Sequence, residues 1–365
     1  MKRNLFGRPP FTRRQFLGSS AATLAAVGTM TAMPRAGRAD DELNILVWCD
    51  HTDDRLLQPF AEKHNVTINV KDYQETGAAL AILEQSQPGD WDILVVDSVD
   101  VARVAERGLL SELKAADMPW GDVFPELHRT DLNFIGDKQY GMPEKFGYHG
   151  ICFNKAKVDI AQLRKTSAMW DPQFAGRMAV YDYYIPTMEM VGMGIGITPG
   201  TMNAENLPAV REKLLEIKKL ASVIGDVPTV QNALITGAAD IIVAGGEFAV
   251  TNLTADNPDL DWIIFDEGSV FWMQSVCVFA NSPRQALATE FVKYILSPQP
   301  QAELATASCY WAMPANRNAT LPDEIKKLLR WDEQPGFLAK SHPYFVPDEE
   351  LNAKMLEVWT EFLQA

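Results

Sequence analysis

The sequence predicts an α/β protein of two lobes, each a mainly parallel sheet flanked by helices, joined by crossing strands. Three observations carry that expectation. Short apolar runs alternate with amphipathic stretches, the order that builds parallel sheets. The same alternation restarts past the middle of the chain. Two extended apolar segments, 150–154 and 269–279, suit strands that pass from one lobe to the other.

The elements follow in order. The run 43–48 is a buried strand, and 55–64 is a helix with Leu56, Leu57, Phe60 and Ala61 on one face. A strand over 66–70, a helix over 77–85 and a buried strand over 91–96 complete the first alternation. A helix over 99–107 stops at Gly108, and a loop-rich stretch reaches Pro143. The second series begins with a strand at 178–181. It continues with a helix at 207–220, the stretch 231–236, and strands at 240–244 and 262–265. After the return crossing come helices at 286–296, 299–306 and 348–363. The expected division is a signal peptide over 1–39, lobe one from 40–148 plus 275–316, and lobe two from 149–274 plus 317–365.

The first 39 residues read as a twin-arginine export signal. Arg13 and Arg14 precede an apolar run rich in Ala, Gly, Ser and Thr, and Gly37-Arg38-Ala39 is a cleavage site. A membrane anchor wants roughly 20 strongly apolar residues, and Gly18, Ser19, Ser20, Gly28 and Thr29 dilute this run. Cleavage after Ala39 removes Lys2, Arg3, Arg8, Arg13, Arg14, Arg35 and Arg38 and no acidic residue, taking the formal charge from −15 to −22. So acidic a surface excludes nucleic acid as a partner. The expectation is a soluble periplasmic monomer. Cys49, Cys152, Cys277 and Cys309 are widely spaced without a Cys-x-x-Cys pair that would suggest a metal site; an exported chain permits disulfides among them, and the favoured reading is buried apolar thiols.

No catalytic motif is present: no Gly-x-Ser-x-Gly, phosphate loop, His-Glu-x-x-His or dinucleotide fingerprint. Gly192, Gly194 and Gly196 follow a Met-rich helical stretch and read as packing. His51, His64, His128, His149 and His342 lie at no metal-ligand spacing. No catalytic residue, metal or cofactor is expected. Aromatic and polar residues instead recur just after strands, where open α/β sheets bind ligands. Trp48, Asp50 and His51 follow the first strand, Asp97 and Ser98 the third. Asp182, Tyr183 and Tyr184 follow 178–181, and Glu247 follows 240–244; Trp272 and Gln274 lie on the return crossing, with Tyr310 and Trp311 beyond. Ring faces with a few carboxylates suit an amine-containing solute.

From residue 41 onward the chain also resembles the spermidine/putrescine-type periplasmic solute-binding proteins of ABC importers. The motifs are Asn44-Ile45-Leu46-Val47-Trp48 with Asp50 two positions on, Trp91-Asp92-Ile93-Leu94-Val95-Val96 and Tyr140-Gly141-Met142-Pro143. Most specific are Met169-Trp170-Asp171-Pro172-Gln173-Phe174-Ala175-Gly176-Arg177 and Gly268-Ser269-Val270-Phe271-Trp272-Met273. The resemblance implies a solute closed between two lobes and a membrane ABC permease as partner. It carries the family's aromatic wall onto Trp48 and Trp272, a ring onto His51, a serine position onto Asp97 and a tyrosine close to Trp311. The family's amine-holding carboxylates fall on Tyr183, Pro186 and Gln274, and its tryptophan before the glycine pair on Ala244. Asp182 lies beside one of those positions, and Asp97 and Glu247 are substitutes.

The expected ligand-binding set is therefore Trp48, His51, Asp97, Ser98, Asp182, Tyr183, Glu247, Trp272, Gln274 and Trp311. With fewer carboxylates the expected solute is smaller or less cationic than spermidine. One alternative is a zwitterion such as 4-aminobutyrate or another amino acid, whose acid group Lys145, His51, His149 or Arg317 would meet. Another is an exported enzyme using the same cleft with His51 and Asp97 as an acid/base pair. A third is ferric-ion capture by Tyr183 and Tyr184.

Overall fold

The computed structural model of the protein describes residues 42–73 and 76–365. The export signal expected over 1–39 lies outside them. Strands β1 (Glu42–Trp48), β2 (Thr67–Tyr73) and β3 (Ile93–Asp97) form a parallel set with β1 in the middle. A two-stranded hairpin, β4 (Phe134–Ile135) and β5 (Lys138–Gln139), stands apart. After the 13-residue β6 (Met142–Asn154), strands β7 (Met178–Tyr181), β8 (Ala221–Gly225) and β9 (Ile241–Gly245) form a second parallel set with β7 central. Strands β10 (Leu260–Ile263) and β11 (Val270–Val278) follow. The short β12 (Met313–Pro314) and β13 (His342–Pro343) add to β6 and β11.

The strand order is β2-β1-β3-β11-β6-β9-β7-β8. Antiparallel β11 and β6 thus stand between the two parallel sets. This is the two-lobed α/β architecture expected. Its physical basis is burial on both sheet faces, which removes the polar alternation of an exposed strand. In β1, Leu43, Ile45 and Val47 belong to one apolar cluster and Leu46 to another; β3 divides its Ile93 and Val95 from Leu94 and Val96 in the same way. Helices cover the sheets with their apolar stripes. The helix Asp54–His64 starts where the Asp53 carboxylate accepts the Arg55 N–H at 3.0 Å, buries Leu56, Leu57 and Phe60, and ends at left-handed Asn65.

Two elements differ from expectation. The crossing read over 150–154 begins at Met142, because Lys145, Gly147 and His149 interrupt its apolar pattern although all three are buried. Strand β8 was not anticipated; it leaves the helix Leu207–Leu220 with no intervening turn and is only partly buried.

The cysteines divide. Cys152 and Cys277 are buried free thiols, but Cys49 and Cys309 form a disulfide with Cα atoms 5.9 Å apart, across 260 residues of sequence. That corrects the expectation for two of the four. Among the described residues no helix is long and apolar enough to cross a membrane.

Candidate functional site

The pairing of β6 with β11 builds the site. Lys145 lies opposite Gln274, Gly147 opposite Trp272 and His149 opposite Val270, while Gln274 also lies opposite Asp97 of β3. Opposed residues share a face and neighbours along a strand alternate. One face therefore carries Lys145, Gly147, His149, Trp272, Gln274 and Asp97. The other carries Phe146, Tyr148, Phe271 and Met273, all in the apolar core. Two irregularities frame the polar face. The β6–β11 register steps at Glu144, and the β6–β9 register steps at Ala244, whose φ of 61° is left-handed. Such bulges re-aim strand ends, and the second turns the Ala244 carbonyl onto His149 Nδ1 at 3.2 Å.

At one end of this face four ionisable side chains are buried together. His51 donates through Nδ1 to Asp50 Oδ1 at 2.9 Å and through Nε2 to Glu144 Oε1 at 2.7 Å. Lys145 Nζ donates to Asp50 Oδ2 at 2.5 Å and to the Tyr310 carbonyl at 3.3 Å, and stands 4.1 Å from the centroid of the Tyr310 ring. All four are at most 1 % exposed at their side chains. Burial alone would discharge His51, but the charges of Asp50 and Glu144 and the bonds to both hold its pKa up at about 10. Burial likewise opposes the Asp50 charge, yet His51 and Lys145 keep that carboxyl well below its ordinary range. Two acidic and two basic side chains thus meet here, with Glu144 Oε2 left without a hydrogen-bond partner among the described residues. The disulfide braces the same place: Cys49 precedes Asp50 and Cys309 precedes Tyr310.

The other end is unsatisfied. Glu247 begins the short helix Glu247–Val250 directly after Gly245 and Gly246. Its Oε2 accepts the Tyr148 N–H at 3.1 Å, while Oε1 has no hydrogen-bond partner among the described residues. Burial raises its pKa to about 8 against the opposing effect of that N–H. His149 Nε2 is also unpartnered, and burial lowers that imidazole to about 4. With Nδ1–H donating to Ala244, Nε2 offers a lone pair. Rings surround these groups. His149 packs with Tyr181, Tyr183 and Phe248 at 5.7–6.4 Å, and Phe248 meets Trp272 edge to face at 6.3 Å. A side chain at Gly147 would not fit, since a Cβ there would lie 1.7 Å from Glu247 Oε1 and 2.5 Å from the Trp272 indole.

Several expected residues meet on this face. Trp272 contacts Tyr310 edge to face at 6.0 Å, and Gln274 exchanges hydrogen bonds with the Tyr310 hydroxyl at 3.0 and 3.2 Å. Asp97 Oδ2 accepts from the Tyr344 hydroxyl at 2.6 Å, and Tyr344 in turn packs against Tyr183. Trp48 ends β1 with its ring against Tyr73 and its buried Nε1 without a protein acceptor among the described residues.

Others fall elsewhere. Asp182 is exposed and accepts the Trp359 Nε1–H of the C-terminal helix at 2.7 Å, a bond that ties that helix to the end of β7. Both His51 nitrogens are taken by Asp50 and Glu144, not Asp97, which removes the acid/base pair. Ser98 Oγ is 2.5 Å from Ser275 Oγ inside the protein. Trp311 packs half-buried against the core, and its neighbour Tyr310 supplies the ring beside Trp272. Tyr183 and Tyr184 diverge, the latter donating to Asn352 at 2.6 Å. Arg317 is exposed and donates to the Gly121 carbonyl at 2.8 Å. Glu144 and Tyr344 are not among the residues read from the sequence, and Tyr310, named there with Trp311, is the one of the two that meets Trp272. Each is isolated in sequence from the residues it touches.

The family model of bacterial extracellular solute-binding proteins matches residues 55–330. Spermidine/putrescine-binding periplasmic protein 1 of Haemophilus influenzae is 24 % identical over 316 residues, covering 84 % of this chain and 85 % of its own. Among solved structures, the spermidine/putrescine ABC transporter substrate-binding protein of Streptococcus pneumoniae superposes with a TM-score of 0.76 at 18 % identity, covering 89 % of this chain and 99 % of its own. A GABA receptor superposes at 0.69 and 18 %, covering 89 % and 98 %. These structural likenesses establish the shared fold.

Proposed function

Because the chain belongs to the bacterial extracellular solute-binding protein family, we propose that it is the periplasmic substrate-binding component of an ABC importer and takes a small amine-containing solute, polyamine-related or zwitterionic, between its two lobes. The observation that carries this reading is Glu247 Oε1: a buried carboxylate oxygen without a partner among the described residues, beside the Trp272 indole. A buried carboxylate gains most from a cation that brings its own hydrogens, and ring faces add to that attraction. His149 Nε2 is a second acceptor for an ammonium or hydroxyl, and the Trp48 indole N–H is a donor for an acid group.

The names of the relatives point the same way, since they bind spermidine and putrescine or, in one structure, GABA. In this reading lobe one comprises 40–148 and 275–316, lobe two 149–274 and 317–365, and the β6 and β11 crossings lie between them. The lobes close on the solute by a hinge, and the closed form docks on a membrane permease. Binding and release suffice, without covalent chemistry. The paired arginines Arg13 and Arg14 support export by the twin-arginine route, and the acidic composition suits a soluble monomer. Calorimetric titration of refolded, ligand-free protein with spermidine, putrescine and 4-aminobutyrate tests the reading. Binding of putrescine or 4-aminobutyrate is expected; tight spermidine binding would reject the smaller solute, and no binding of any amine would reject the class.

A further inference from the structure

We propose that Lys145 is a built-in ammonium that occupies one of the two amine positions of the cleft, so that the protein selects a solute carrying a single ammonium group. The proposal rests on the amine-binding reading above and deepens it. Lys145 Nζ has a carboxylate oxygen at 2.5 Å, a ring centroid at 4.1 Å and a carbonyl oxygen at 3.3 Å. A carboxylate, an aromatic face and a carbonyl are the surroundings an alkylammonium ligand would take.

This position is continuous with the cleft. Lys145 projects from the face that carries Gly147 and Trp272, and the Tyr310 ring over its ammonium also touches Trp272 and hydrogen-bonds Gln274. Asp50 is fully committed, one oxygen to His51 and the other to Lys145. The second carboxyl group, Glu144, gives Oε1 to His51, while its buried Oε2 has no hydrogen-bond partner among the described residues. Beyond Trp272 lies Glu247, whose Oε1 is open to a partner. The open acceptors beside Trp272, Glu247 Oε1 and His149 Nε2, therefore face one filled ammonium position. A linear diamine reaching from Glu247 would bring its second cation against that of Lys145, whereas a neutral or anionic end would not.

Lys145→Ala empties the position while keeping Asp50, and Lys145→Met fills it with an uncharged chain of similar length. Putrescine and 4-aminobutyrate are titrated into each protein by calorimetry, and thermal unfolding is followed with and without n-butylammonium chloride. In wild type, putrescine is expected to bind at least about tenfold more weakly than 4-aminobutyrate. In Lys145→Ala its affinity rises about tenfold or more, because Asp50 accepts the second ammonium. Butylammonium raises the melting temperature of Lys145→Ala further than that of wild type or Lys145→Met, which offer it Glu247 Oε1 but not the emptied position on Asp50. Should Lys145→Ala not fold alone, refolding yield with butylammonium replaces the melt; amine-dependent recovery supports the proposal and equal recovery overturns it. A folded Lys145→Ala protein whose butylammonium shift is no larger than that of wild type overturns it too. Wild-type protein that binds no amine sinks the functional reading instead, and the butylammonium response still decides the role of Lys145.

Discussion

The two ends of the cleft face bury the same kinds of group and treat them oppositely. Around Asp50, His51, Glu144 and Lys145 acids and bases are paired, and those pairs hold Asp50 and His51 ionised against burial. Around Glu247 and His149 no counter-charge is within hydrogen-bonding distance among the described residues, and burial drives both toward neutrality, the carboxyl upward and the imidazole downward. Burial alone therefore does not decide the state of an ionisable group. The partner does. A saturated cluster is a structural device, whereas an unsaturated one is stable only as long as its groups stay neutral or a ligand completes them.

The largest test breaks the saturated end. Asp50→Ala strands two cations with one carboxylate, and chemical denaturation should show a loss of about 3–5 kcal/mol. Next comes the brace: Cys49→Ser with Cys309→Ser should cost about 2–4 kcal/mol by the same measurement. It should also weaken the difference between the two ends, because Asp50 and Tyr310 lose their covalent link.

Glu247→Gln sharpens the contrast from the other side. Solute affinity should fall roughly 10–100-fold by calorimetry, the loss of a charge-assisted bond of about 1.5–3 kcal/mol, with stability at neutral pH changed by less than about 1 kcal/mol. Its pH signature has a definite sign. The Glu247 pKa is raised from 4.5 to about 8 on folding, so its contribution to stability is fully present below pH 4.5 and is lost as pH rises to about 8. His51, raised from 6.5 to about 10, adds a loss from pH 6.5 upward; His149, lowered from 6.5 to about 4, loses its contribution as pH falls across that interval. Glu247→Gln should flatten the decline between pH 4.5 and 8 and leave the loss above it. The Lys145 charge and the Tyr148 N–H both act on Glu247 against burial. Solute binding by the ionised form should accordingly release a proton and tighten with pH up to about 8.

The smallest effect is expected at Asp182→Ala. Losing the Trp359 bond should cost about 1 kcal/mol of stability and leave solute affinity unchanged.

Most of the fold is legible in the sequence because its signals are local. The runs of β1 and β3 are apolar throughout since both faces are covered, and the helix Asp54–His64 carries its cap and stripe within a dozen residues. The site is legible only where it follows a strand end. Glu247 could be named that way, whereas Trp272, inside β11, is named by the family resemblance. The bond of Lys145 to Asp50 spans 95 residues, that of Tyr344 to Asp97 spans 247, and the Cys49–Cys309 bridge spans 260. None has a local periodicity to betray it. Asp182 shows the converse: it stands after a strand as a ligand residue would, but Trp359, distant in sequence, claims its carboxylate.

Gly147 has a meaning for reading other chains. Any residue larger than glycine there collides with the Glu247 carboxylate and the Trp272 indole, so the two positions are expected to change together over evolutionary time. A relative that keeps glycine and glutamate at this spacing retains the open acceptor; one that gains a side chain at the first position must have surrendered or moved the acid at the second. Two letters, 100 positions apart, thus form a barcode for this end of the cleft that can be read from sequence alone.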